Sequence, residues 1–175
     1  MDLKKHIRTV PNFPTDGIMF RDVTTLFNHA GAFEQTICEF VDLWQEKKLE
    51  AIAGIDARGF IIGGALASKL RLPFVALRKK GKLPYKTLSE EYDLEYGKGS
   101  LEIHIDAIKT GTSVLIVDDL IATGGTAIAG ANLIKAIGGN IVGCGFIVDL
   151  PDLGGAKKLE GLGVKVKSLM AYKGG

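Results

Sequence analysis

From residue 32 to 48 the apolar side chains Phe33, Ile37, Phe40, Val41 and Trp44 recur at steps of three and four, with Glu34, Glu39, Asp42 and Glu46 between them. That spacing lays one apolar stripe along a cylinder and predicts an amphipathic helix. Residues 51–55 form a short apolar run that stops at Asp56 and reads as a buried strand. A second helix is expected over 60–70, ended ahead of Pro73, and another strand over 73–77. Val114, Leu115, Ile116 and Val117 make the clearest strand of all. The next helix, over 126–137, places Ile128, Ala131, Ile134 and Ile137 on one face before Gly138 and Gly139 end it. Two more strands are expected over 141–148 and 164–170.

Strands with near-continuous apolar cores that alternate with helices predict an α/β fold, with a mostly parallel central sheet flanked by helices. One region breaks the rhythm. Residues 79–106 are polar and contain glycine, and Leu101, Ile103 and Ile105 alternate with Glu102, His104 and Asp106. A projecting strand pair preceded by a mobile loop fits that pattern. With no internal repeat or linker, the 175 residues are expected to form a single domain.

Composition narrows the classes of function. The chain is 46% hydrophobic and 24% charged, with a formal charge of +2. These are values of an ordinary globular protein and give no concentrated basic face for nucleic acid. Cys38 and Cys144 sit in apolar segments without metal-type spacing, as expected of reduced core residues. His6, His29 and His104 lie far apart and form no ligand pattern. Asp2, Lys4, Lys5, Arg8 and Asp16 interrupt the first twenty residues, which argues against a secretion signal, and no apolar run approaches ~18 residues. A cytoplasmic protein without a membrane partner is the expectation.

The chemistry concentrates at V-L-I-V-D-D-L-I-A-T-G-G-T, residues 114–126. In parallel α/β sheets ligands gather at the carboxyl ends of strands, where Asp118 and Asp119 fall. Ala122, Thr123, Gly124, Gly125 and Thr126 then make the strand-to-helix loop. Its glycines allow close backbone approach, its threonines add hydroxyl donors, and the free N–H groups at the helix start favour a phosphate. Two carboxylates repel that phosphate but accept from neighbouring hydroxyls, such as those of a ribose. Together they read as a site for a ribose 5-phosphate unit. The plainer alternative is an acidic cap on a solvated turn. Other nucleotide signatures fall short: at 54–59 the spacing is that of a P-loop, but Phe60 replaces its lysine, and 143–148 lacks the third glycine of a dinucleotide fingerprint.

At this point the chain resembles the type I phosphoribosyltransferases. The motif at 114–126 matches the family's phosphoribosyl diphosphate motif. N-F-P-T-D-G-I-M-F-R-D (12–22), G-I-D-A-R-G-F (54–60), R-K-K-G-K-L-P (78–84) and L-E-Y-G-K-G (94–99) match in order. That ordered set is similar to the adenine-using members, although Asp16 stands where many carry proline. The resemblance implies transfer of ribose 5-phosphate from phosphoribosyl diphosphate to adenine, with Mg2+ as cofactor, giving AMP and diphosphate in purine salvage. It implies that Ala122 to Thr126 hold the 5-phosphate and that Asp118 and Asp119 bind the ribose hydroxyls. Arg58, with the backbone of Asp56 and Ala57, would hold the diphosphate, and the 56–57 peptide would be cis. Arg78, Lys79, Lys80 and Lys82 would reach the diphosphate, partly across the interface of a homodimer; a solvated basic surface is the plainer alternative. Magnesium would be held mainly through substrate and water, with no direct protein ligand.

The same resemblance makes Glu95 the group that handles the purine proton, with Tyr96 beside it closing over the site. Without it, Glu95 reads as one more exposed acid near Glu90, Glu91 and Asp93. Met19 and Arg21 would bind adenine largely through backbone groups, with Phe20 and Leu120 as apolar walls. The base-binding segment would span about 6–30 and the flexible loop about 79–100. A transferase for another base and a phosphoribosyl-diphosphate-sensing regulator of nucleic acid are the rival readings.

Overall fold

The computed structural model describes residues 1–94 and 97–174. Its elements run β1 (Arg8–Pro11), β2 (Met19–Asp22), α1 (Thr24–Phe27), α2 (Ala30–Trp44), β3 (Ala51–Ile55), α3 (Arg58–Leu70), β4 (Phe74–Lys79), β5 (Thr87–Leu94), β6 (Gly97–His104), β7 (Ser113–Ile121), α4 (Gly125–Ala136), β8 (Asn140–Asp149), α5 (Gly155–Gly161) and β9 (Val166–Ala171). A central seven-stranded sheet has the order β5-β6-β4-β3-β7-β8-β9. The five strands from β4 to β9 in that order are parallel, and β6 and β5 add antiparallel on one side. This is the expected α/β fold with its strand pair.

Helices cover both faces because successive residues of a strand point to opposite sides. Val114 and Ile116 join the core formed with α4 and α5, while Leu115 and Val117 join the core formed with α2 and α3. A strand covered on both faces has no polar alternation, which is why β7 was legible as an uninterrupted apolar run. The stripe of α2 puts Phe40 and Trp44 at 1% exposure against β8. Gly145 leaves the room for that packing, since a Cβ there would stand 2.8 Å from the Phe40 ring. The glycines at 143 and 145 therefore serve helix packing.

Boundaries moved where tertiary contacts act. Helix α2 begins two residues early, because the backbone N–H of Ala32 donates to Nδ1 of His29, and it ends at Trp44. Helix α3 begins at Arg58 and closes at Arg71, which is left-handed at φ 56°, with the Leu72 N–H donating to the Ala67 carbonyl. Strand β7 does not stop at Val117 but continues through both aspartates to Ile121, because β8 stays paired beside it as far as Asp149. Within 79–106, read as a loop followed by a strand pair, 87–94 and 97–104 are the paired strands and 80–86 is the connection before them, so the strands take up most of the 79–100 span given to the flexible loop. Hairpin β1–β2 and helix α5 carried too little periodicity to be expected. Among the described residues, no helix is long and apolar enough to cross a membrane.

Candidate active site

Because β3, β4 and β7 are parallel, their carboxyl ends share one edge of the sheet. Gly54 pairs with Val117, and Ile55 with Leu77. The next residues along each strand, Asp56, Arg78 and Asp118, are therefore brought together from positions far apart in the chain. A cavity of about 210 Å³ opens at this edge, lined by Arg58, both aspartates, Thr123, Gly125 and Thr126 among others.

The loop after β7 is built of backbone. Gly124 adopts φ 86°, which favours glycine, and a Cβ on it would stand 2.9 Å from the Gly155 Cα. The Gly155 N–H donates to the Ala122 carbonyl at 3.0 Å, and Lys158 Nζ donates to the Thr123 carbonyl at 3.2 Å. The first turn of α5 thus buttresses the loop from outside. No side chain caps the amino end of α4 among the described residues. Its first N–H groups remain available to an anion, and a twelve-residue helix supplies the dipole behind them.

The two aspartates differ in environment. Asp119 is 4% exposed, and its Oδ2 lies 2.5 Å from Arg58 Nε. Asp118 accepts from the Asp119 backbone N–H at 2.8 Å. Burial pushes the Asp118 carboxyl well above its usual range, the neighbouring Asp119 charge pushes the same way, and Arg58 acts against both. For Arg58, burial disfavours the cation, but Asp119, Asp118 and Asp22 together hold its pKa above the ordinary value. The residues assigned separately to ribose and to diphosphate are thus joined in one ion pair. Gly59 permits this closeness: a Cβ there would sit 2.8 Å from the Val117 carbonyl and 3.0 Å from Asp118 Oδ1.

The Asp56–Ala57 peptide is cis, as the resemblance implied. Asp56 organises the end of β4, where its Oδ2 accepts from the Lys79 N–H at 3.4 Å and lies 3.5 Å from Arg78 Nε. Arg78 Nη1 also donates to the Lys82 carbonyl at 3.1 Å. Arg78 therefore shapes the turn, while Lys79, Lys80 and Lys82 are exposed.

On the amino-terminal side, β1 and β2 form a two-stranded hairpin in which Thr9 pairs with Arg21 and Val10 with Phe20. Phe20 packs edge-on against Phe13, with ring centroids 5.1 Å apart. Met19 is exposed. Among the described residues no further strand pairs with the outer edge of β2, so this edge presents unmatched backbone groups. Asp22, at its end, is near enough to contribute to the Arg58 charge balance. Arg21 Nη1 donates to Thr9 Oγ1 at 2.6 Å, and its guanidinium lies over the Tyr172 ring, 4.4 Å from the centroid. Tyr172 is bonded through its N–H to the Asp149 carbonyl at the carboxyl end of β8, so the hairpin hangs at the same sheet edge. Leu120 packs partly buried into the core on the α2 and α3 side. Glu95 and Tyr96 lie outside the described residues.

Sequence reasoning missed Gly155 and Lys158 behind the 122–126 loop, and Tyr172. A Gly-Gly pair at 154–155 was the only signal for the first, and the second had none.

Comparison with known proteins agrees with this geometry. The family model described as "Phosphoribosyl transferase domain" matches residues 30–165. A curated protein of Maricaulis maris named adenine phosphoribosyltransferase is 55% identical over 174 residues, covering 99% of each chain. The crystal structure of adenine phosphoribosyltransferase from Thermoanaerobacter pseudethanolicus superimposes with a TM-score of 0.94 at 45% identity, covering 98% of both chains. The Saccharomyces cerevisiae enzyme, solved with adenine and an imino-altritol bisphosphate, gives 0.91 at 38% identity over 97% of both. With a glycine-threonine loop and an acid pair on one sheet edge and this similarity over 99% of its length, the chain belongs to the phosphoribosyl transferase domain family.

Proposed function

We infer that the chain transfers a 5-phosphoribosyl group from phosphoribosyl diphosphate to adenine, giving AMP and diphosphate. The observation that carries this reading is the union, at one cavity, of an uncapped glycine loop and the Asp118–Asp119 pair. One part suits a phosphate and the other a sugar diol. The full-length relatives that share the chain's pattern are adenine enzymes.

In the proposed mechanism, Ala122, Thr123, Gly124, Gly125 and Thr126 hold the 5-phosphate through backbone N–H groups and hydroxyls. Asp118 and Asp119 accept from the ribose hydroxyls. The bond from the anomeric carbon to the diphosphate oxygen breaks as the bond to the purine nitrogen forms. Positive charge then grows on the sugar, where the two carboxylates stabilise it, and negative charge grows on the leaving group. Arg58, the 56–57 backbone, Arg78, Lys79 and Lys82 face that second charge, which is where preformed cations lower a barrier most. Displacement of Arg58 from Asp119 onto the diphosphate would free Asp119 for the sugar, so substrate binding would exchange one ion pair for two contacts. The purine loses one proton as it attacks, and Glu95 is assigned to take it; no protein atom bonds to the sugar.

Among the described residues, no three histidine, cysteine, aspartate or glutamate side chains cluster as a metal site. Magnesium keeps several waters and takes ligands from substrate phosphates at sites of this kind. Mg2+ bound in this way would neutralise charge on the departing diphosphate.

Adenine is assigned to the outer edge of β2. Its amino and ring nitrogens offer one donor beside one acceptor, the pattern that a strand edge matches, with Met19 and Arg21 supplying backbone groups and Phe20 and Leu120 the walls. A 6-oxo purine reverses the donor and leaves polar groups unpaired, so discrimination of roughly 10⁴ is expected. Exposed Ile61, Phe74 and Tyr85, around α3 and the basic turn, suit the face of a homodimer.

Diphosphate release measured with adenine, hypoxanthine and guanine in parallel, with and without magnesium, tests the reading. Release with adenine alone, dependent on the metal, is expected. Release with hypoxanthine or guanine instead would move the chain to a sister activity. Binding of phosphoribosyl diphosphate with no base-dependent release would leave a sensor.

A further inference from the structure

Beyond the residues assigned to substrates, one aromatic ring has two cations packed on it. Arg21 is 4.4 Å above the Tyr172 centroid, and Lys4 Nζ is 5.2 Å from it. Lys4 Nζ also donates to the Ala171 carbonyl at 2.9 Å. The ring follows β9 at the end of the chain, and both cations come from its first 21 residues. Arg21 Nε is buried without a hydrogen-bond partner, and no carboxylate lies in ion-pair range of Arg21 among the described residues. A guanidinium whose Nε is shut off from water and that has no carboxylate partner gains from an aromatic face. Thr9 fixes one end of the same guanidinium, so Arg21 has little freedom left.

That constraint falls on β2, whose free edge has only the four-residue strand β1 to support it. A short two-stranded ribbon is marginal by itself. Without an outside anchor its edge would not hold a donor and an acceptor at the spacing of one purine. We propose that Tyr172 is a positioning residue for base selection: by clamping Arg21 it holds the backbone edge of β2 in the register that reads adenine. Tyr172 touches neither substrate in this scheme and acts through Arg21. The proposal rests on the assignment of adenine to β2, and it adds a specificity determinant supplied by the opposite end of the chain.

The experiment compares Tyr172→Phe with Tyr172→Leu in the full chain. Phenylalanine keeps the π face and loses only the 3.5 Å hydroxyl contact to the Lys4 carbonyl. Leucine keeps apolar bulk and removes the face. The Phe variant should match the parent. The Leu variant should raise KM for adenine about three- to tenfold and lower the preference for adenine over hypoxanthine by a similar factor, with KM for phosphoribosyl diphosphate unchanged. Amide hydrogen exchange over residues 19–22 should speed up by the same factor in the Leu variant alone. The proposal is overturned if Leu behaves as Phe does, or if both substrates' KM values rise together, as loss of general structure would cause. Should the parent show no transfer to adenine, the functional reading fails, and the exchange rates still decide whether Tyr172 clamps β2.

Discussion

At Asp118 stability and the proposed function pull in opposite directions. Its carboxyl is held above the ordinary value of 3.8 by burial and by Asp119. Above pH 3.8 the unfolded chain therefore ionises more readily than the folded one, and this group lowers stability as pH rises through its folded pKa. Asp118→Asn keeps an oxygen for the Asp119 N–H and removes the buried charge. It should raise stability above about pH 4 by an amount on the order of 1 kcal/mol, seen as a higher melting temperature, while cutting turnover by roughly a hundredfold. Thermal melts between pH 3 and 8 check the first effect, because the gain should vanish at the acid end. Asp22 behaves oppositely. Hydrogen bonds from Thr24 and Arg8 lower its pKa to about 2. Its contribution is present above pH 3.8 and lost as pH falls toward 2. Asp22→Asn should therefore melt below the parent at pH 7 and converge with it near pH 2.

At the scale of elements, the hairpin of β5 and β6 is seated on α4. Asn132 Nδ2 donates to Glu90 Oε1 at 2.8 Å, and the Asp93 carbonyl would stand 3.2 Å from a Cβ at Gly125. Gly99 makes room for the Tyr92 ring on that same side, since a Cβ there would stand 2.5 Å from it. Asn132→Asp sets two carboxylates face to face, so amide exchange in 87–94 should accelerate about three- to tenfold. Adding Glu90→Gln restores a donor and should restore the rate. If the double variant exchanges as fast as Asn132→Asp, the bond does not seat the hairpin. The alternation of Leu101, Ile103 and Ile105 revealed a strand, but nothing local revealed its seat. Leu101 and Ile103 are fully buried, whereas Ile105, just past the end of β6, is 44% exposed. Pattern located the strand and overran its end. Likewise β7 was legible to Val117, where hydrophobicity stops, yet it runs on to Ile121 because pairing with β8 does not require apolar side chains.

For the whole molecule, parallel strands collect the site at one edge, and both chain ends converge there through Lys4, Arg21 and Tyr172. The two cysteines report on the rest of the fold. Burial pushes the Cys144 thiol up to about 12, while Cys38 is half-buried on α2. A thiol reagent at pH 8 should label Cys38 in the native protein and reach Cys144 only on unfolding, since the thiolate is the reactive form. Mass spectrometry of labelled protein across a urea series checks this, and two native labels would show that the β8 core opens.

The amino-acid sequence by itself determined the features written in local order. These are the apolar runs and stripes that become β3, β7, β8, α2 and α4, and the glycine-threonine turn whose missing side chains leave N–H groups bare. Both follow from periodicity and backbone freedom within a few residues. Only the tertiary structure decided that Arg58 reaches Asp119 across 61 positions, that Gly155 and Lys158 buttress the 122–126 loop, and that Tyr172 covers Arg21. These contacts depend on the strand order, which places β3 against β7 and β9 beside β8. That order is set by how whole faces bury together, and no local pattern encodes it.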